Sequence, residues 1–509
     1  MVIIDDPIIL SSDELAAVTG GVWTNPRLVP VILRVAMNPL TACPGDLLIT
    51  TNREQWKLKR LETETPDALN TLLQKGGVAA VVRRTSSLDC SVNLLRVDDT
   101  YQALLAIVAA VRDKASARRV LVTGTDGKTG FKMQLHHLAS GQVSVNARLD
   151  SNNMDRGICT TLANTKRHHA LSIVEVAVSR KRLGISRSQW VRPDLCVITE
   201  IGYEHLATHG SMDKLIAAKA SVVSGLVDGG CCLIKSDPRY FEQLRQAILS
   251  YRNVPILSFG EGVKDLGRLV GAEFDAARYG WQVQAEIDGR SLDYFLPLVE
   301  RHAPLSSVGA LTALHLAGLD AVQAAERFAD FKPYATSGRI YPLPARDGVY
   351  IVYDQSRHIS LFGLDDFFYT AARLAPKPGG RKLLVLGHVY DEREYGPLVR
   401  ELLPPTRLRS LIEASGIDML YTVGEREEFE AFLAGTNIPW QHFSHPQALI
   451  EPLHNGLCAN DLLLVKGDQN EKMFVLTEGL RERAKQSPNK TITVRDRDNG
   501  GKTRRGDGI

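Results

Sequence analysis

The 509-residue sequence has almost no net charge: 61 Lys and Arg against 58 Asp and Glu leave +3. So small an excess gives no whole-chain footprint for nucleic acid or a membrane surface. Long apolar runs are missing too. The longest, "ALLAIVAAV" (Ala103–Val111), is far below the ~20 residues of a membrane span and reads as a buried helix. "MVIIDDPIIL" has no basic segment ahead of an apolar one, so no secretory signal is expected. Paired cysteines are absent. The seven (Cys43, Cys90, Cys159, Cys196, Cys231, Cys232 and Cys458) are odd in number, form no CxxC, and several lie in apolar strand-like runs. Buried reduced thiols and a cytoplasmic location are expected. No repeat with a period of roughly 20–50 residues is visible.

What remains is an ordinary globular composition, 44% hydrophobic and 23% charged, in a chain too long for one core. Residues 1–115 alternate short apolar runs with helical stretches such as "TPDALNTLLQKG", which has an acidic start and a glycine stop. From 116 the runs become longer and almost continuously apolar: "RRVLVTG", "ALSIVEVAV", "PDLCVITEIG", "GGCCLIKS", "VPILSFG". Such runs suit parallel strands covered on both faces. Helical patterns lie between them, including one across 211–229. A second strand–helix series begins at 333, with "GVYIVYDQS", "RKLLVLGHV", "IDMLYTVG" and "NDLLLVKGD". The polar stretch 486–509 is expected to be a disordered tail.

The sequence "VLVTGTDGKTGFKM" (Val120–Met133) carries the chemistry. An apolar strand enters a glycine turn, then Lys128 and Thr129 open a helix. A polyphosphate needs inward backbone N–H groups, a helix N-terminus and a cation. Gly124, Thr125, Asp126 and Gly127 supply the backbone, Lys128 the cation, and Thr129 a hydroxyl for Mg²⁺. The loop is the short form, Gly-x-x-Gly-Lys-Thr, because Val122 stands where a longer loop has its first glycine.

"TGTDGKT" resembles the loop of the Mur ligase family. Further motifs follow in family order. "SIVEVAVSRKRLG" resembles the strand ending in a metal-binding glutamate, here Glu175. "VITEIGYEHLATHGSMDKLIAAKA" resembles the next signature, with His205 and Lys219. "SNNMDRGICTTL" resembles an Asn-Asn-x-x-Gly-x-Pro segment, with one residue more between Asn153 and Gly157 and Cys159 in place of the proline. These features, with "PGDLLIT", "VYDQSRHIS" and "LLLVKGDQN", resemble the branch that uses D-alanyl-D-alanine.

The resemblance implies an α/β fold of three domains. A central P-loop parallel-sheet ATPase domain (116–332) is flanked by a small N-terminal α/β domain (1–115) and a C-terminal Rossmann-like domain (333–485). It implies an ATP-dependent ligase that phosphorylates a carboxylate and lets an amine displace the phosphate, leaving ADP. The physics agrees: a carboxylate is a poor electrophile until one oxygen becomes a leaving group, and a Mg²⁺-neutralised triphosphate supplies the setting. Lys128 then contacts the β/γ phosphates. Thr129, Glu175, His205 and Lys219 hold one or two Mg²⁺ ions, Lys219 as a carbamate. His302 and Arg339 reach the nucleotide, and Asp354 lies near nucleotide and amine. Lys466 either faces substrate or ends a strand.

Several residues depart from the family pattern. Gly130 replaces a hydroxyl residue, Asp126 the loop asparagine, and Glu200 an asparagine. Ala303 and Ser306 replace asparagines beside the adenine. Around Asp354 the acceptor segment is altered, and "RVAMNPLTACPGDL" lacks the Asp-Ser-Arg used with a uridine nucleotide. These changes fall at both substrate ends. A ligase repurposed for another small carboxylic acid and amine or amino acid is therefore expected, acting as a monomer or weak homo-oligomer. The family's peptidoglycan reaction and a non-catalytic nucleotide-binding scaffold stand as the alternatives.

Overall fold

In a computed structural model, residues 6–28, 30–52, 62–178, 184–203, 206–390 and 399–486 are described. His205 and almost all of the expected tail lie outside them. Three sheets organise the chain. The five- and nine-stranded sheets belong to one compact unit and the six-stranded sheet to a second.

The first sheet comprises β1 (Val22–Trp23), β2 (Arg34–Ala36), β3 (Asp46–Ile49), β4 (Ala79–Arg83) and β5 (Asn93–Val97), in the order β1-β5-β4-β3-β2. All pairings are parallel except β1 with β5. The helix Pro66–Gln74 starts where the sequence signals it: Thr65 Oγ1 accepts the Ala68 N–H at 3.3 Å, and Pro66 fills the first turn. "ALLAIVAAV" lies in the helix Thr100–Lys114, with Ala103, Leu104, Ile107, Val108 and Val111 buried. At the sheet's edge, Asn164 acts on β2 through its side-chain amide. Oδ1 accepts the Val35 N–H at 2.8 Å, and Nδ2 donates to the Val35 carbonyl at 2.9 Å.

The second sheet contains β6 (Arg118–Thr123), β7 (Val145–Ala147), β8 (Leu171–Glu175), β9 (Leu195–Ile198), β10 (Cys231–Lys235) and β11 (Ile256–Gly260). It continues through β12 (Gly267–Asp275), β13 (Gly280–Ile287) and β14 (Arg290–Leu296). The order is β14-β13-β12-β11-β10-β9-β6-β8-β7. From β7 to β11 the neighbours are parallel, as the apolar runs predict. The β12–β14 meander is antiparallel and was not anticipated. Its signal is "AEIDGRSLDYF": Asp288 and Gly289 take φ of 50° and 74°, and two positive values in a two-residue loop make a type I′ hairpin.

The helix expected across 211–229 is shorter, Met212–Ala220 followed by a tighter turn, Ser221–Gly225. A Cβ on Gly225 would lie 2.2 Å from the Ser188 carbonyl, so the close approach of that backbone requires glycine. The cysteines form no disulfide among the described residues. Cys159, Cys196 and Cys232 are buried as expected, but Cys43 and Cys458 sit in exposed loops.

The third sheet comprises β15 (Arg339–Pro344), β16 (Val349–Gln355), β17 (Lys382–Leu386), β18 (Met419–Val423), β19 (Trp440–Phe443) and β20 (Leu462–Lys466). Its order is β15-β16-β20-β17-β18-β19, parallel apart from β15 with β16.

Candidate active site

The turn after β6 leads directly into the helix Lys128–Ala139. Because β6 lies between β8 and β9, its C-terminal end opens where successive strands depart to opposite sides, the usual ligand position of an open α/β sheet. Gly124 is required there. Its φ is 152°, and a Cβ would lie 2.2 Å from Thr199 Oγ1. Thr199 Oγ1 donates to the Asp126 carbonyl at 2.8 Å, and the Glu200 carbonyl accepts the Thr125 N–H at 2.8 Å and its hydroxyl at 3.0 Å. The segment after β9 thus moulds the loop from below. Gly127, at φ 77°, precedes the helix, whose N-terminus has no side-chain cap. The Lys128 ammonium folds back onto the Thr125 carbonyl.

Thr129 and Glu175 meet. The Thr129 hydroxyl lies 3.0 and 3.1 Å from the two Glu175 carboxylate oxygens. Glu175 ends β8 and is only 5% exposed. Its Oε1 also accepts from Asn153 Nδ2 at 2.8 Å, which gives the Asn-Asn segment a concrete task. Its Oε2 accepts from Lys132 Nζ at 2.8 Å. Lys132 is itself 1% exposed and donates to the Asp150 carbonyl at 2.5 Å.

Sequence reasoning missed Lys132. It is one helical turn beyond Lys128, between the buried Phe131 and Leu135. A lysine at so apolar a helical position needs a buried partner.

The other singled-out residues lie on separate elements. Lys219 is 1% exposed in the helix Met212–Ala220, so it is not a solvated surface lysine. His302 is exposed and immediately precedes the helix Ala303–Leu316. Arg339 begins β15 opposite Asp354 of β16. Asp354 is wholly buried within its own unit, accepting from Ser356 Oγ at 2.7 Å and Tyr341 Oη at 2.9 Å. Burial raises its carboxyl above the usual range, and the hydroxyl bonds oppose that rise. Lys466 donates to Gln355 Oε1 at 2.8 Å. Among the described residues no group of three or more His, Cys, Asp or Glu is placed to hold a metal. The Thr129 hydroxyl and Glu175 carboxylate do fit Mg²⁺, which takes hard oxygen donors and keeps several waters.

A cleft of about 630 Å³ opens beyond the C-terminal ends of β10 and β11, with Lys235, Asp237, Arg239, Lys264 and Asp265 in its walls. Glu200 joins it to the loop. The Glu200 carbonyl holds Thr125, while its carboxylate binds the Lys235 ammonium and, at 3.3 Å, Arg239 Nη2. The extra acid noted in the sequence is therefore compensated locally. Burial nevertheless raises its carboxyl, against the pull of Lys235.

Residues 122–313 match the family described as the Mur ligase middle domain. The chain carries a Mur ligase middle domain. Mur ligases are ATP-dependent enzymes that form C–N bonds and use ATP and Mg²⁺. It is 24% identical over 412 residues to the UDP-N-acetylmuramoyl-tripeptide–D-alanyl-D-alanine ligase of Escherichia coli, covering 80% of this chain and 86% of that one. The Bacillus subtilis ligase of the same name is 24% identical over 423 residues, with the same coverage. Among solved structures, the corresponding Acinetobacter baumannii ligase superposes with a TM-score of 0.75 at 19% identity, covering 95% of this chain and all of that one. MurF ligase from Thermotoga maritima in complex with ADP gives 0.68 at 17% identity, covering 89% and 98%. The three-domain Mur ligase fold is therefore present. No helix among the described residues is long and apolar enough to cross a membrane.

Proposed function

We propose that this Mur ligase joins a UDP-muramoyl-tripeptide carboxylate to the amine of D-alanyl-D-alanine. The meeting of the Thr129 hydroxyl and the Glu175 carboxylate beside the loop carries the ATP-dependent part of this reading. The named relatives support the choice of substrates, and they weigh against the repurposed acid and amine that the substitutions suggest.

In this reading, the backbone of Gly124–Lys128 surrounds the phosphates, and Lys128 leaves the Thr125 carbonyl to pair with them. Thr129 and Glu175 hold Mg²⁺, which supplies charge neutralisation on the triphosphate. His205 and Lys219, the latter as a carbamate, are proposed for a second ion. The cleft beyond β10 and β11 receives the nucleoside. Arg339, His302 and Asp354 are proposed to act once substrates are bound. The divisions 1–115, 116–332 and 333–485 are proposed as acid-binding, ATP-binding and amine-binding domains.

The test is turnover of UDP-muramoyl-tripeptide, D-alanyl-D-alanine and ATP, with ADP, phosphate and the amide product measured together. Amide formation that stops in Lys128→Ala supports the reading. ADP release with only a different acid–amine pair, identified by a substrate array and mass spectrometry, establishes a repurposed ligase instead. The lost Asp-Ser-Arg and altered acceptor segment favour that second outcome. ATP binding without ADP release for any pair leaves a scaffold.

A further inference from the structure

We propose that Lys132, paired with Glu175, makes metal uptake at that carboxylate conditional on the nucleotide. The inference rests on the ATP and Mg²⁺ reading above. It begins from how fully Glu175 is engaged: Oε1 accepts from Asn153 and Thr129, and Oε2 from Lys132 and Thr129. The carboxylate is already solvated by the protein, and one of its partners carries a full positive charge.

The Lys132 ammonium and the Glu175 carboxylate cancel. Their side chains are 2% and 3% exposed, so little water screens a third charge brought beside them. A divalent ion arriving alone must break the Thr129–Glu175 bond and lie close to the buried ammonium. The same ion carried by a triphosphate arrives with its repulsion already offset by phosphate oxygens. Lys132 therefore acts as a positioning residue. It holds the carboxylate in place through Oε2 and Asp150, and it weakens capture of the bare metal without touching substrate.

The test measures Mn²⁺ binding by electron paramagnetic resonance, with and without a non-hydrolysable ATP analogue. Wild-type protein is expected to bind Mn²⁺ weakly alone and much more tightly with the analogue. In Lys132→Met, binding without nucleotide should tighten by about tenfold or more, and the coupling between metal and analogue should fall by a similar factor. Lys132→Gln should behave likewise, and circular dichroism identifies which variants are folded. Unchanged or weaker Mn²⁺ binding in a folded neutral variant overturns the proposal. Tight nucleotide-free binding by wild type, blocked by Glu175→Gln, also overturns it and needs no Lys132 variant. Failure of the analogue to bind wild type defeats the ATP reading itself, whatever Lys132 does to the metal.

Discussion

The Lys132–Glu175 pair makes a quantitative demand on stability. At 2.8 Å between nitrogen and oxygen, two unit charges attract by about 6 kcal/mol at an effective dielectric of about 20. Removing both ions from water costs several kcal/mol each, so the intact pair contributes little net stability. Breaking it is different. Glu175→Gln leaves a buried ammonium with the Asp150 carbonyl, at an expected loss of about 3–5 kcal/mol. Lys132→Met leaves a carboxylate with two neutral donors, Asn153 and Thr129, so its loss should lie near the lower end, about 3 kcal/mol. The double variant carries neither charge and should fall within about 2 kcal/mol of wild type. Urea unfolding of all four proteins, without metal or nucleotide, measures the cycle. Single losses that simply add in the double variant would show that these groups do not stabilise each other, and would refute the reasoning.

Other predictions are simpler. Gly124→Ala forces a Cβ to 2.2 Å from Thr199 Oγ1 at a φ that disfavours any side chain, so it should lose at least about 2 kcal/mol and most ATP affinity. Calorimetric titration and thermal melting check both effects. Gly130→Ser meets nothing within 4 Å in the first turn of the loop helix, and should hold or raise stability by up to about 1 kcal/mol without loss of ATP binding. A lower melting temperature would show that the backbone needs glycine there. In the C-terminal unit, burial pushes Glu471 from 4.5 up to about 7, despite the His388 N–H bound at 3.0 Å. A raised carboxyl pKa means the folded state holds the proton more tightly, so stability should fall as pH rises from about 4.5 to 7. Glu471→Gln should flatten that slope in melts across the range. An identical slope would place the titration elsewhere.

The loop was legible because its chemistry is local: glycines, a cation and a hydroxyl within a few residues. Glu175 was legible as a costly acid at the end of an apolar strand. Lys132 was not, because its partner lies 43 residues away and its neighbours read as ordinary helix core. Lys219 was singled out through the resemblance alone; its burial with Leu215, Ile216, Ala218 and Ala220 is seen only in the fold. The parallel strands followed from continuous apolar runs. The β12–β14 meander departs from the strand–helix rhythm around it, and only the Asp288-Gly289 turn marks it locally. Asp354 was recognised as an acid at a strand end. The Ser356 contact is local, two residues along the chain, but the Tyr341 contact depends on pairing the two strands.

The Asn164 amide has a consequence for solubility. A side-chain amide has the same donor and acceptor as a peptide group, and here it matches the outward N–H and carbonyl of Val35. The free margin of β2 is thereby closed at its middle residue by one side chain rather than another strand. A neighbouring molecule that tried to extend the sheet would have to displace that amide, so the fold guards an aggregation-prone border with a single asparagine.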